Sequence, residues 1–388
     1  MSELPLPPGS TLGILGGGQL GRMLAQAAAR LGFDVAVLER EADSPAGRVA
    51  AHTIVGPYAD PDALEALAAV ATVVTYEFEN VPSATAEFLA ARVPVRPGPH
   101  ALAICQHRVR EKQFLNDAGV GTTRWGAALN ADDVARRVSE FGAPCVLKTS
   151  RFGYDGKGQA RVANVAEARV AFDSFKREAC VLEKMLPLQW ECSVIVARGA
   201  DGACVNLPVQ RNLHRDGILA VTQVYEGVLP AQRAAQAVAA TRSIADGLQY
   251  VGVLCVEFFV LADGSLVVNE MAPRPHNSGH WSMDGCDVSQ FELQVRAMAG
   301  LPLVQPRQHS PSIMLNLLGD LWFARGAKET SPPWDQVLAL SGTHLHLYGK
   351  LSARPGRKMG HLNITGASIE AVRATALQAC ALLGLEAF

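Results

Sequence analysis

Charge is scarce in this sequence, and long uninterrupted apolar runs are missing. Only 19% of the 388 residues are charged, the formal net charge is −2, and no basic block exceeds a few residues. A nucleic-acid-binding or anionic-membrane surface is therefore not expected, because either needs a concentrated positive field. The longest Ala- and Val-rich stretch, 63–74, is interrupted by Glu65 and is too short to span a bilayer. Residues 1–10 carry prolines and an acid in place of a basic, apolar leader, so no signal peptide is expected. The eight cysteines include no C-x-x-C pair and mostly sit in apolar runs such as 143–147. That predicts buried free thiols rather than disulfides or a zinc site, and with the other absences it indicates a cytoplasmic protein.

Hydrophobic residues make up 49% of the chain, enough for a sizeable core, and 388 residues imply two or three domains. Residues 12–40 read as strand, glycine turn, helix and strand, followed by a helix over 61–69 and a strand over 72–76. This alternation predicts a parallel sheet covered by helices. Prolines at 94–99 mark a first boundary, and one helix is expected over 103–118. From about residue 143 the pattern changes to hairpin-like strands at 145–150, 159–163, 180–184, 191–197, 204–209 and 220–226. A helix over about 230–247 and strands at 253–260 and 266–271 follow. A helix near 289–299 ends at Gly300, and Pro302 and Pro306 mark a second boundary. A β segment around 343–350 and an amphipathic helix over 368–383 close the chain, so the class is α/β joined to α+β.

Gly16-Gly17-Gly18-Gln19-Leu20-Gly21 contains G-x-G-x-x-G between a strand and a helix, and Glu39 closes the next strand. That is the dinucleotide fingerprint, in which glycines let a phosphate approach helix N–H groups. A nicotinamide dehydrogenase is one reading, and another polar ligand on the same turn is the other. The antiparallel middle of the chain weighs against the first. A second glycine-rich run, from Lys148 through Gly153, Gly156 and Gly158 to Gln159, is not a Walker A loop. Glycines and cations between two strands suit a flap over phosphates, an ordinary hairpin being the plain alternative. Lys148 favours the flap, because a lysine ending an apolar strand needs an anionic partner.

The most informative segment is a hairpin. Asp263-Gly264 is a strong turn signal between apolar strands. With Ala262 opposite Ser265, counting back along both strands sets Glu257 directly opposite Glu270. Facing like charges repel, and a buried carboxylate needs a partner. A divalent cation resolves both problems, and oxygen ligands favour magnesium or manganese. Two solvated surface glutamates are the plain alternative. Arg274, His276, Asn277 and His280 follow in a proline-constrained loop beside the expected metal site, which suits substrate binding. Lys350, Arg354, Arg357 and Lys358 crowd a later loop, and arginine with lysine suits a terminal phosphate.

Taken in order over nearly the whole chain, the runs 14–23, 76–81, 153–159, 269–279 and 354–361 resemble the N5-carboxyaminoimidazole ribonucleotide synthetase family of the ATP-grasp superfamily. The resemblance implies a Rossmann-like (pre-ATP-grasp) substrate-binding domain at 1–104, an ATP-grasp domain at 105–302 and a small β-rich C-terminal domain at 303–388 completing the substrate site. It places Arg108 and Lys148 on ATP phosphates and makes Gly153, Tyr154, Asp155, Gly156, Lys157, Gly158 and Gln159 the flap. Glu183, Lys184, Met185 and Leu186 become the adenine strand and hinge, with Glu191 on the ATP ribose and His214 beside the nucleotide. Glu257 and Glu270 would bind magnesium, with Asn269 adjacent. Gln19 and Glu77 would face the substrate ribose, and Lys350 and Arg357 would take its phosphate. Tyr154, Asp155, Lys157, Arg274, His276 and Asn277 would form the catalytic surroundings of bicarbonate and the reacting amine of 5-aminoimidazole ribonucleotide. In the implied reaction ATP phosphorylates bicarbonate, Arg274 steadies the carboxyphosphate, and Asp155 or His276 takes the amine proton. A homodimer is implied as well. His107 departs from the family pattern, where an acid is expected before Arg108, and a local helix contact is expected to change. A sister ATP-grasp enzyme acting on formate or another carboxylate, and a non-catalytic binding protein, remain as alternatives.

Overall fold

The computed structural model describes residues 5–151, 153, 157–324, 326 and 328–388. Short apolar strands alternating with helices build the first sheet, as expected. Thr11–Leu15 pairs in parallel with Asp34–Glu39 on one side and Val73–Tyr76 on the other, and His52–Val55 extends the edge. Helix Gln19–Arg30 buries Leu20, Met23, Leu24 and Ala28. This apolar stripe packs against Phe291, Val295 and Met298 of the much later helix Gln290–Ala299. The contact holds the glycine turn against the loop that precedes Gln290.

The single helix expected over 103–118 is in fact two, Pro99–Cys105 and Arg108–Asp117. The chain breaks at His107, whose φ is −134°, and the Arg108 amide bonds Ser150 O at 2.9 Å. His107 is therefore a helix N-cap without a side-chain cap bond. An acid there would accept a first-turn N–H and favour the helix dipole, so the departure that the resemblance implies would change a cap rather than a helix contact.

Two antiparallel sheets follow. The small one runs in the order Trp125–Ala128, Cys180–Lys184, Cys145–Thr149 and Gln159–Val162. Helices Ala131–Phe141 and Val165–Ser174, which the sequence reading missed, cover it through Val134, Val138 and Phe172. The large sheet runs Leu266–Ala272, Gly252–Leu261, Leu188–Arg198, Gln210–Arg215, Ile218–Val224, Ser312–Leu318, Lys358–Thr365 and Thr343–Leu347. Strand Gln210–Arg215 was also unexpected, and the strands beyond residue 312 continue this same sheet rather than forming another. Helix Ala231–Gly247 packs its Ala237 and Ile244 against Val194, Leu254, Val256 and Phe258 on the sheet's back. All eight cysteines are unpaired, buried or half-buried. Among the described residues no helix is long and apolar enough to cross a membrane.

Candidate active site

Strands Gly252–Leu261 and Leu266–Ala272 do set Glu257 opposite Glu270, but the register arises differently from the sequence count. Leu261 N donates to Ser265 O, so the loop has three residues, Ala262, Asp263 and Gly264, with Gly264 at φ +77°. Phe258 consequently faces Val268, and a bulge beyond it inserts Asn269 and restores the carboxylate pair. Asn269 and Glu270 both fall against Glu257, and Asn269 Oδ1 lies 3.4 Å from Lys148 Nζ. Val256 and Phe258 are buried in the core beneath the hairpin, each contributing about 1.5–3 kcal/mol, and this turns Glu257 to the cleft.

Glu257 is 9% exposed, and its Oε1 has no hydrogen-bond partner and lies 3.8 Å from His276 Nε2. Burial pushes its carboxyl up, and Glu270 adds to this against the opposing His214. Glu270 goes the other way: burial raises it, but Arg108, 3.0 Å away, and Lys148 bring it below the usual range. A buried carboxylate oxygen without a partner, facing a second carboxylate, fits a hard divalent cation. Among the described residues no group of three or more acidic, His or Cys side chains forms a complete cage. The other ligands of such a cation would be phosphate oxygens and water.

Across the cleft, strand Cys145–Thr149 delivers Lys148, which donates to Glu183 Oε2 at 2.9 Å. Lys112, on helix Arg108–Asp117, lies 3.1 Å from Glu183 Oε1 and donates to Asn269 O at 3.3 Å. Burial works to raise Glu183, yet the two lysines hold it at about 2. Glu111 Oε1 accepts from Met271 N at 2.6 Å, and burial pushes its carboxyl up to about 7 against Arg108 and Lys112. Neither Glu111 nor Lys112 was singled out from the sequence. Their signal was helical spacing, since Arg108, Glu111 and Lys112 stand at i, i+3 and i+4 on one face.

The remaining nucleotide candidates are placed as follows. Lys184 donates to Gly142 O and Ala143 O at 2.7 and 3.2 Å, and Met185 N to Pro144 O at 3.2 Å. Leu186 follows them, and its carbonyl accepts from Leu188 N at 2.9 Å. The Lys184 amide also donates to Arg124 O at 2.8 Å, and its carbonyl accepts from Thr123 Oγ1 at 2.7 Å. Glu191 and His214, on neighbouring strands, pair at 2.5 Å. Burial lowers His214, but Glu191 and Glu257 raise it to about 8 overall. Gly153 O accepts from Arg108 at 3.2 Å, Gly158 sits at φ +68°, and Gln159, two residues past Lys157, pairs with Lys148 across the sheet. Tyr154, Asp155 and Gly156 lie outside the described residues.

The glycine turn is filled by the chain itself. Gly17 N donates to Glu39 at 2.6 Å, Gly21 N to Glu77 at 2.8 Å, and Gly18 N to the other oxygen of Glu77. A Cβ on Gly16 or Gly18 would strike the Glu77 side chain at 2.5 Å. The N–H groups a dinucleotide phosphate would need are thus already bonded to carboxylates, and the dehydrogenase reading fails on geometry. Burial raises Glu77, with the Gly21 and Gly18 amides and Lys350 opposing.

A cavity of about 460 Å³ joins this turn to the carboxylate hairpin. Gln19, Glu77, Arg108, Gly153, Glu270, Arg274, His276 and Asn277 line it, as do His280 and Lys358 of the two loops expected to bind substrate and phosphate, and Glu79, to which the sequence reading gave no role. Arg274 is held by Glu79 in a two-point pair at 2.5 and 3.1 Å. Glu79 was legible as the second acid of Glu77-Phe78-Glu79. Lys350 donates to Lys358 O at 2.6 Å and Arg357 to Ser352 O at 2.9 Å. His276 Nδ1 accepts from Ser278 N at 3.3 Å, and burial keeps the ring neutral. An acceptor at Nδ1 puts the ring proton on Nε2, which at 3.8 Å from Glu257 Oε1 is beyond hydrogen-bond reach and leaves the ring no free base nitrogen.

Two antiparallel sheets closing on a cleft, one bringing lysines and the other paired carboxylates, define an ATP-grasp enzyme. The ATP-grasp domain family matches residues 113–291, the ribonucleotide synthetase preATP-grasp domain 10–106, and the phosphoribosylaminoimidazole carboxylase C-terminal domain 312–375. The N5-carboxyaminoimidazole ribonucleotide synthase of Brucella melitensis is 46% identical over 364 residues, covering 93% of this chain and 98% of that one. The solved ADP complex of an N5-carboxyaminoimidazole ribonucleotide synthetase superposes with a TM-score of 0.90 at 38% identity, covering 97% and 98% of the two chains. An Aspergillus clavatus synthase in complex with ADP and 5-aminoimidazole ribonucleotide does so at 0.89 and 29% identity, covering 97% and 99%. The chain belongs to the N5-carboxyaminoimidazole ribonucleotide synthase family.

Proposed function

We propose that this protein uses ATP and magnesium to carboxylate 5-aminoimidazole ribonucleotide with bicarbonate, giving N5-carboxyaminoimidazole ribonucleotide, ADP and phosphate. The observation that carries the reading is one continuous cavity reaching from the Glu77 turn to Glu270 and Arg108. It leaves room for a ribonucleotide at one end and a nucleotide's phosphates at the other. Arg108 and Lys148 would orient the transferring phosphoryl group and offset its charge. Magnesium held by Glu257 and Glu270 would supply further charge neutralisation there.

Bicarbonate would lie near Arg274, whose guanidinium is braced by Glu79 and so oriented before a carboxyphosphate forms. His276 and Asn277 would donate to its oxygens, and the flap containing Tyr154, Asp155 and Lys157 would exclude water that hydrolyses it. Because His276 Nδ1 already accepts from Ser278 N, Asp155 is the preferred acceptor of the amine proton. Gln19 and Glu77 would face the substrate ribose, and Lys350, Arg357 and the cavity-lining Lys358 its phosphate. We assign the substrate turn, the nucleotide cleft and the closing loops to units 1–104, 105–302 and 303–388, working as a cytoplasmic homodimer. A coupled ADP-release assay that omits bicarbonate, the ribonucleotide or magnesium in turn tests the proposal. Turnover that survives without bicarbonate would overturn it and favour another ATP-grasp activity.

A further inference from the structure

One hydroxyl in the cleft is buried without a partner, and no step of the proposed reaction uses it. Ser150 is 2% exposed, and its Oγ makes no hydrogen bond among the described residues. Its backbone, by contrast, is tied on both sides. Ser150 N donates to Ala179 O at 2.8 Å, which carries the pairing of Cys145–Thr149 with Cys180–Lys184 one residue further. Ser150 O accepts from Arg108 N at 2.9 Å.

Alternation along the extended chain puts the Ser150 side chain on the face of Lys148, two residues back, and Thr149 on the other. Thr149 is already satisfied, its Oγ1 donating to Arg151 O at 3.0 Å. Ser150 lines the 460 Å³ cavity beside Arg108, Gly153 and Glu270. Arg108 bonds Glu270 at 3.0 Å and Gly153 O at 3.2 Å, so the hydroxyl stands where flap, guanidinium and carboxylate hairpin converge.

A buried hydroxyl without a partner costs roughly fivefold or more in an equilibrium constant, and a ligand that accepts its proton removes that cost. The strand shows which ligand atom that is. Lys184, at the adenine hinge, pairs with Cys145, and Val181 pairs with Lys148. At about 3.3 Å per residue, Ser150 therefore lies about 7 Å further from the hinge than Lys148 does. A nucleotide with its base at the hinge brings its last phosphate to that level. Bicarbonate, the other oxyanion, is assigned to Arg274 and Asn277 on the loop beyond strand Leu266–Ala272. We propose that Ser150 is a further nucleotide-binding residue, whose hydroxyl donates to an oxygen of the terminal phosphate of ATP. This rests on the reading of Arg108 and Lys148 as phosphate contacts.

The test measures dissociation constants for ADP and for a non-hydrolysable ATP analogue by calorimetry at fixed excess magnesium, with thermal melts of the nucleotide-free protein. The parent examines the underlying reading, and a parent that does not bind the analogue overturns both that reading and the inference. Ser150→Ala should weaken the analogue by about tenfold and leave ADP within about threefold of the parent. The nucleotide-free variant should melt at or above the parent's temperature, because the change removes an unsatisfied hydroxyl. A merely structural serine predicts a lower melting temperature and equal losses for the two nucleotides. Ser150→Cys keeps the size but offers only a weak donor, so it should lose the analogue selectively too, and it decides alone if Ser150→Ala does not fold. Equal effects on both nucleotides, or none, overturn the inference and leave the reading of the parent standing. A raised KM for bicarbonate with unchanged affinity for the analogue also overturns it, placing the hydroxyl on bicarbonate.

Discussion

Glu111 should make the protein less stable at slightly alkaline pH, and removing its charge should reverse this. The side chain is 2% exposed, and its Oε1 accepts from Met271 N at 2.6 Å. Burial raises the carboxyl from 4.5 to about 7, because Arg108, Lys112 and the Met271 amide offset only part of the desolvation. For an acid whose folded value lies above its unfolded one, ionisation is harder in the folded state. Stability is then highest below about pH 4.5, falls as pH rises toward 7 and is flat above. At about 1.4 kcal/mol per unit, the difference approaches about 3 kcal/mol at pH 8. Glu111→Gln keeps an acceptor for the Met271 amide and abolishes the titration. The nucleotide-free variant should exceed the parent by up to about 3 kcal/mol at pH 8, with most of that gone at pH 5. Urea unfolding followed by tryptophan fluorescence at the two pH values measures both. A variant less stable than the parent at pH 8, or a gap that ignores pH, would refute the reasoning.

Three further outcomes are expected. Glu257→Gln should weaken magnesium-dependent ATP binding by about tenfold or more while leaving magnesium-free ADP binding nearly unchanged, read by calorimetry with and without the ion. His214, raised to about 8 by Glu191 against burial, stabilises the fold fully below its unfolded value near 6.5, and that contribution disappears as pH climbs through 8. It amounts to about 2 kcal/mol, and thermal melts of Glu191→Gln should lose this pH dependence. NADH fluorescence titration should show no binding, since the amides of Gly17, Gly18 and Gly21 are bonded to Glu39 and Glu77; saturable binding in the micromolar range would contradict that.

Much of the structure that followed from neighbours in sequence was legible, although helices Ala131–Phe141 and Val165–Ser174 were missed. The parallel sheet and helix Gln19–Arg30 came from apolar period, and the Gly300 helix end from backbone freedom at φ +70°. The carboxylate pair was legible too, because a hairpin is local, although a three-residue loop and a bulge at Asn269 compensated each other in the register. Strand Gln210–Arg215 escaped because its inward Gln210 and Asn212 are polar; buried bonds to Ser193 and Thr222 satisfy them in place of apolar packing. The family, the likeness to ATP-grasp and the Glu257–Glu270 pair were thus written in residue order. Only the tertiary structure decided that the glycine-turn amides hold Glu77 and Glu39, that Glu79 braces Arg274, and that Lys112 shares Glu183 with Lys148. Local periodicity encodes which element forms and which face it buries. It carries no information about which distant charge a buried charge will meet, and that pairing sets the electrostatics of this site.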